Sequence, residues 1–363
     1  MQIINEQLPN LSEKDKYVSV NYKSSVFDLW SKVISVDPSA YEVTISPIPQ
    51  HTDGSGDVLA GDKDFNKSTD TIRFLAFPEL GNVDVGTASY AEGRLNVAQG
   101  EYAHAEGYES RAAGRASHAE GRRTLAGWAA HAEGKDTMAL GMESHAEGQS
   151  SVAELDAAHA EGDHTTAGGG ASHAEGSHTK ALGGGSHAEG LRSKTEAAAE
   201  GAHAEGEQTI ASGLAAHSEG SYTTAAACAH SEGVNTSARG NSSHSEGNNS
   251  HALTYASHAE GNNTVAGGYY DSETETYITG GSATHAEGSF TSARGLYSHA
   301  EGVKTIALGQ SSHAEGDSSI ANHTSSHAEG NGAKASGWAS HAEGNQSQTG
   351  SGGSAAHAEG TLT

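Results

Sequence analysis

From residue 86 onward, small and variable positions alternate along the chain with a short, fixed period. One full unit runs from Ser298 to Ser311: Ser298, Ala300 and Gly302 are small, Val303 and Lys304 connect, Thr305, Ala307 and Gly309 are small again, and Gln310 and Ser311 connect onward. In a strand, alternate residues point to one side, so this pattern predicts two short strands per unit whose small residues fill a narrow interior. The other positions point outward. Two-residue corners close each unit into a flattened coil, and coils stacked at the strand spacing of roughly 4.8 Å give about twenty turns and a rod on the order of 90 Å. Glycine is expected at the corners, where φ is often positive. The glycine content and the short unit exclude an α-helical solenoid.

The outward positions of the first half scarcely vary. They belong to a phrase, Ser-His-Ala-Glu-Gly, that supplies His104 with Glu106, His118 with Glu120, His131 with Glu133, His145 with Glu147, His159 with Glu161, and His173 with Glu175. It continues through His187 with Glu189, His203 with Glu205, His217 with Glu219, His230 with Glu232, His244 with Glu246, and His258 with Glu260. The last six pairs are His285 with Glu287, His299 with Glu301, His313 with Glu315, His327 with Glu329, His341 with Glu343, and His357 with Glu359. A degenerate first copy has Tyr90 in the histidine position. Most spacings are 14, two are 13, two are 16 and one is 27. The 16-residue units add two residues near 195–201 and 350–355, and the 27-residue interval holds an insertion of strand-prone residues, 269–281, read as a small hairpin or flap. The outward positions of the second half drift freely, through Leu125, Met138, Leu140, Lys180, Ile210, Arg239 and Ile306.

Residues 1–85 form a chemically different segment. All five prolines (Pro9, Pro38, Pro47, Pro49, Pro78) and four of the five phenylalanines lie there, whereas 44 of the 48 glycines lie beyond it. The pattern predicts strands at 17–21, 41–48 and 71–77, with Pro47 and Pro49 marking an edge or exit. A helix is predicted from Ser25, with Val26, Phe27, Leu29, Trp30, Val33 and Ile34 on one face, ending at Asp37-Pro38. Residues 51–64 read as loop. The segment is expected to be a small β-rich cap or attachment domain, 1–85, ahead of the repeat domain, 86–363.

Charge changes the picture only in part. The formal net charge of −26 argues against nucleic acid as a partner. Within 86–363 there are 33 acidic and 13 basic residues, and 19 of the acids are phrase glutamates, each but the first paired with a titratable histidine. Cys228 is the single cysteine, so no disulfide framework or cysteine-based metal site is expected. No apolar stretch is long enough to insert in a membrane. MQIINEQLPN does not read as a secretory signal, and the bare Gly360-Thr361-Leu362-Thr363 end suggests a truncated or matured product.

The SxAxG…TxAxG pattern resembles the head-domain repeat of YadA-type trimeric adhesins, a left-handed parallel β-roll, over roughly residues 87–360. In its HAEG version it is similar to repeats of bacteriophage tail fibres and neck appendages. The resemblance implies an all-β, left-handed parallel β-roll or β-solenoid of 14-residue coils, assembled as a trimeric rod. It further implies that the eighteen His and Glu pairs named above face the three-fold axis. The adhesins place mostly aliphatic residues there, so a polar axis departs from their pattern.

Four chemistries suit a repeated His-x-Glu. Acid–base catalysis needs one distinct pocket, which eighteen equivalent pairs do not build, so no enzyme and no catalytic residue is expected. No cofactor is expected either, although His and Glu two apart on one face, tripled by symmetry, form rings in which a divalent metal is a secondary possibility. A solvated charged face should drift as the second half does. The remaining reading places the pairs at the trimer axis, bonded across chains, with each carboxylate raising the pKa of its histidine.

The expected function is therefore a structural fibre or appendage of a phage or phage-like particle serving host attachment. The alternative is a passenger fragment of a bacterial trimeric surface adhesin. Expected partners are two further copies of the chain, a particle or baseplate protein held through residues 1–85, and a host-surface glycan or protein touched by Tyr269, Tyr270 and Tyr277. The expected location is a virion or extracellular particle, supplied from the cytoplasm without a signal peptide.

Overall fold

A computed structural model describes residues 86–362 throughout and, before them, the backbone of seven strands between 16 and 84. The protein is all-β, and no helix occurs among the described residues. The chain divides into two compact units, 1–136 and 137–363.

The first unit begins with strands β1 (Lys16–Asn21), β2 (Asp28–Asp37), β3 (Glu42–Ile45) and β6 (Thr71–Ala76). They form an antiparallel sheet of order β3-β2-β1-β6. The strands expected at 17–21, 41–48 and 71–77 are present, and the proline-flanked β3 is an edge strand. Two corrections apply. The helix expected from Ser25 is instead strand β2, which pairs with β1 from Tyr17↔Lys32 to Asn21↔Asp28 and with β3 from Val33↔Ile45 to Asp37↔Glu42. Its run of Trp30, Val33, Ile34 and Val36 is rich in aromatic and β-branched residues, which favour strands, and ladders on both sides outweigh the helical spacing. Within the stretch read as loop, β4 (His51–Thr52) and β5 (Val58–Leu59) make a small antiparallel pair.

The unit continues into coils. The five-residue strands Tyr90–Arg94, His104–Tyr108, His118–Arg122 and His131–Lys135 pair in parallel and in register, so that His104 lies beside His118 and Glu106 beside Glu120. Short partner strands, Val97–Ala98, Arg111–Ala112 and Leu125–Ala126, stack likewise.

The second unit repeats this parallel β-solenoid from Thr137 to the last described coil. In the coil of Ser298–Ser311, the strands are His299–Val303 and Ile306–Ala307. Ser298, Ala300, Thr305 and Ala307 are buried, as the alternation predicts. The core is a column of alanines, Ala300 and Ala307 stacked on Ala314 and Ala321. Where serine replaces the alanine of the phrase, the coil bonds it internally. Ser218 and Ser231 lie 2.7 and 2.8 Å from the hydroxyls of Thr223 and Thr236, so no buried hydroxyl is orphaned by the change.

Glycine takes positive φ as expected at the end of the first half, where Gly302 has φ 108°, but not at the corner residues that follow. The positive-φ corner residues of this coil are Lys304 (φ 54°) and Ser311 (φ 52°). Each turns its N–H toward the preceding coil and donates to a carbonyl there, Lys304 to Ser289 and Ser311 to Leu296, both at 2.8 Å. That bond offsets the roughly 1–2 kcal/mol that the left-handed conformation costs a residue with a Cβ. Glycine is needed one step earlier, at the end of each half. A Cβ on Gly302 would stand 2.2 Å from the Gly316 carbonyl oxygen, and one on Gly309 would stand 2.0 Å from that of His323. Close approach of coils selects glycine at both positions, and at Gly302 the φ of 108° selects it a second time.

The spacing irregularities fall where expected. The two 16-residue coils carry extra turns at 197–201 and 351–355. The long interval forms a hairpin, Gly268–Asp271 against Thr276–Thr279.

Candidate functional site

Every phrase histidine opens a five-residue strand and the glutamate stands two residues later, so both project outward on the same side. In the second unit, in-register pairing puts His285 beside His299 and Glu287 beside Glu301, and so on along the ladder. The imidazoles stack: His299 and His313 have centroids 4.7 Å apart and planes within 3°. The stack passes the insertion undisturbed, with His258 and His285 at 4.7 Å although 27 residues separate them. It tilts by 53° between His187 and His203, across a 16-residue coil. In the first unit, His104, His118 and His131 stack at 4.8 and 4.7 Å, and Tyr90 caps His104 at 5.5 Å.

The carboxylates form a parallel column of their own. In the first unit it is Glu106, Glu120 and Glu133. In the second it begins with Glu147, Glu161, Glu175, Glu189, Glu205, Glu219, Glu232 and Glu246, each in register with the next. It runs on through Glu260, Glu287, Glu301, Glu315, Glu329, Glu343 and Glu359. All of those in the second unit are half-buried except Glu359, which is exposed together with His357 in the final coil. Within one chain the column thus brings like charges beside one another, one coil apart.

The His–Glu bonds are expected across chains, and within one chain the two groups of a pair stand close but mostly beyond hydrogen-bond distance. Nε2 to Oε2 is 3.4 Å for His203 and Glu205, 3.6 Å for His145 and Glu147, and 3.7 Å for His258 and Glu260. It widens to 3.8 Å for His230 and Glu232 and to 4.0 Å for His187 and Glu189, whereas His244 and Glu246 stand at 3.5 Å. From His159 to His341, the Nε2 atom of every phrase histidine is shielded from water and hydrogen-bonded to nothing among the described residues. The geometric reason is the strand itself. Side chains at i and i+2 leave it side by side, so the carboxylate reaches the ring edge without turning an oxygen onto the nitrogen.

Within one chain the electrostatics run opposite to the shift expected at an assembled axis. The imidazoles of His118, His159, His187, His230, His258, His299 and His327 are held below the ordinary histidine value, not above it. Loss of water is the first cause and the neighbouring stacked histidine the next. The glutamates pull upward, but less strongly. Glu161 and Glu175 are outweighed at His159, Glu189 and Glu175 at His187, and Glu232 and Glu219 at His230. Glu246 and Glu287 are outweighed at His258, and Glu329 and Glu343 at His327. Two imidazolium charges 4.7 Å apart repel by roughly 1 kcal/mol even in water and by more in a drier setting. At these seven positions stacking and loss of water favour the neutral imidazole.

Groups such as His159, Glu161 and His173, or His285, Glu287 and His299, bring three ligand atoms within 4.8 Å of one another. Their fit to one ion is poor. Stacked rings aim their lone pairs along parallel planes, so two successive histidines of one chain do not converge on a tetrahedral centre.

The three tyrosines of the insertion divide by role. Tyr270 is exposed, while Tyr269 and Tyr277 hold the hairpin to the solenoid. The Arg294 guanidinium lies 4.4 Å from the Tyr269 ring, and Tyr277 packs on His251 at 4.3 Å with Arg239 at 5.6 Å. Ser292 donates to the Gly268 carbonyl and Thr254 to that of Gly281, at 2.9 and 2.8 Å. Burial, aided by Arg239, lowers the His251 pKa to about 4.

Beside the hairpin lies a cleft of about 470 Å³ lined by Asn249, Asn263, Val265, Tyr270, Tyr277 and Phe290. Apart from the tyrosines, these residues escaped the sequence reading. The available signal was the corner column Asn235, Asn249, Asn263, at intervals of 14.

Two segments, 132–153 and 300–322, match the YadA head domain repeat. No curated protein matches the chain. The matched repeat is a structural module of adhesin-like fibres and not typically an enzyme fold.

Proposed function

We propose that the chain assembles as a parallel homotrimer through its His/Glu face, forming a fibre or appendage of a phage or phage-like particle. One observation carries the assembly: half-buried imidazoles and carboxylates repeat without drift along the second unit, while the outward face of the short strands varies. A second and third copy related by a three-fold axis cover that face and bring their carboxylates against the ring edges it leaves open. The YadA-type repeat supports the same stoichiometry, because heads of that kind are homotrimeric. Residues 1–85 are assigned to the particle or baseplate protein and the hairpin to the host surface. The pairs at the axis, not a metal, bind the chains.

The test is mass in solution. Light scattering should give close to three times the 36.9 kDa of one chain, unchanged by EDTA. A folded monomer at micromolar concentration sinks the assembly, and a trimer that dissociates in EDTA replaces the hydrogen-bonded axis with metal-filled rings. The match to the YadA head domain repeat favours a second reading of context, a bacterial surface adhesin passenger. A label on residues 1–85 located at a particle, or instead at a cell envelope, decides between them.

A further inference from the structure

The cleft beside the hairpin has the composition of a carbohydrate subsite. We propose that it binds a neutral pyranose of a surface glycan, between Tyr270 and Phe290 as ring platforms and the amides of Asn249 and Asn263 as hydroxyl partners. This deepens the host-contact part of the reading above and is independent of the trimer.

The geometry supports it from three directions. The volume, about 470 Å³, lies in the range of small-ligand sites and accommodates one or two sugar rings. Tyr270 and Phe290 are 50% and 56% exposed, so neither serves the core. Phe290 stands at a corner with φ 57°, held by its N–H donating to the Asn262 carbonyl at 2.9 Å, so the position of its ring over the cleft is fixed. The amide wall, finally, is pre-ordered. Asn235 donates to Asn249 at 2.8 Å, Asn249 donates to Asn263 at 2.5 Å, and Asn263 donates to Asn262. Asn249 and Asn263 each keep a second N–H for a ligand, and the Asn263 oxygen keeps a second lone pair.

His251 ties the two walls together. Its Nε2 lies 3.2 Å from the Asn249 Oδ1 while its ring packs on Tyr277. The cleft is thus held open by packing that a ligand need not supply, which lowers the ordering cost of binding.

Charge selects the ligand class. The nearby cations, Arg239 and Arg294, are engaged over the faces of Tyr277 and Tyr269. The hairpin carries Asp271, Glu273 and Glu275, which disfavour an anionic sugar. No carboxylate lines the cleft, so a cation is not its ligand. What remains is a ligand with an apolar C–H face and a rim of neutral hydroxyls.

The experiment is ligand-observed saturation-transfer NMR on the full-length protein. Its probes are glucose, galactose, mannose, N-acetylglucosamine and N-acetylgalactosamine, with N-acetylneuraminic acid as the anionic contrast. At least one neutral sugar should receive saturation on its ring C–H protons, and N-acetylneuraminic acid should not. Tyr270→Ala and Phe290→Ala should each weaken that binding at least tenfold with the melting temperature unchanged. Trp338→Ala, an exposed aromatic outside the cleft, should leave binding intact. No transfer to any neutral sugar overturns the proposal, as does transfer that survives both cleft substitutions. Light scattering on the same samples separates the two readings: a trimer that binds no sugar removes only the subsite, and a sugar-binding monomer removes only the assembly.

Discussion

Within the second unit, the two outward faces of a coil behave in opposite ways. The long strand repeats His and Glu coil after coil, stacked ring on ring. On the short strand, His251 is followed by Val265, Ser292, Ile306, Ile320 and Lys334 in the same register. Both faces sit on the same alanine core with the same coil-to-coil hydrogen bonds. Folding of a single chain therefore explains neither the constancy of one face nor the freedom of the other. The constant face answers to something outside the chain, and the drifting face answers only to its neighbours along the ladder. The latter is where the chain accommodates a 13-residue insertion without disturbing the histidine stack.

Charge reversal breaks the comparison most sharply. Glu301→Lys, Glu315→Lys and Glu329→Lys together remove three carboxylates from the constant face and add three cations beside half-buried imidazoles. This triple variant should lose at least tenfold in assembly affinity, read as mass against concentration by light scattering. Ile306→Lys with Ile320→Lys, on the drifting face, should leave mass and melting temperature essentially unchanged, because Lys180, Lys194 and Lys334 already occupy that column. Equal sensitivity of the two faces would remove the distinction.

Acidification tests the same contrast through protons. Histidines whose folded pKa lies below the unfolded value of about 6.5 bind more protons when unfolded. Their contribution is complete above about pH 6.5 and is lost as pH falls toward the lowered folded values. On the constant face this affects many groups modestly, since each is flanked by two histidines that oppose protonation and by glutamates that favour it. On the drifting face it concentrates in His251, where a shift from 6.5 to about 4 corresponds to roughly 3 kcal/mol lost between those limits. Melting temperature should thus fall steadily from pH 7 to pH 4.5. A rise on mild acidification would show that carboxylates from neighbouring chains outweigh desolvation and stacking, restoring the upward shift expected from the phrase alone.

Much of the fold was legible because it rests on period-2 alternation, which a strand expresses directly. The burial of Ser298, Ala300, Thr305 and Ala307, the in-register histidines and the hairpin all follow from spacing. What escaped depends on distances between coils. Lys304 and Ser311 hold positive φ because their N–H groups find carbonyls one coil back, and Gly309 is required because a carbonyl one coil ahead leaves no room for a Cβ. Neither is local chemistry. Strand β2 was misread because an apolar run of that length satisfies helical and strand spacing equally, and only its ladder partners decide. The lowered histidine pKa values of the single chain were not legible, because a glutamate two residues away is visible in sequence, whereas stacking at 4.7 Å and loss of water are not. The cleft escaped for a similar reason, since residues from 249 to 290 converge only after the coils stack.

Deleting Tyr269–Gly281 and joining Gly268 to Ser282 should have the smallest effect on assembly and separates the faces most cleanly. The deletion converts the 27-residue interval to the ordinary 14, so Val265 and Ser292 keep their register and His258 keeps its place on His285. The constant face is untouched, and trimer mass should persist. Tyr277 is lost from His251 and Tyr269 from Arg294, a packing loss partly balanced by the shorter connection, and at neutral pH the melting temperature should move by no more than about 3 °C, near 1 kcal/mol. The sharper readout is acidic. Without Tyr277 over it, His251 regains water and its pKa returns toward 6.5, so the deletion variant should lose less stability than the parent between pH 6 and pH 4.5. An unchanged acid response would show that burial by the coil itself, not the hairpin, depresses His251. Loss of the trimer would show that the hairpin packs between chains, making the drifting face part of the assembly as well.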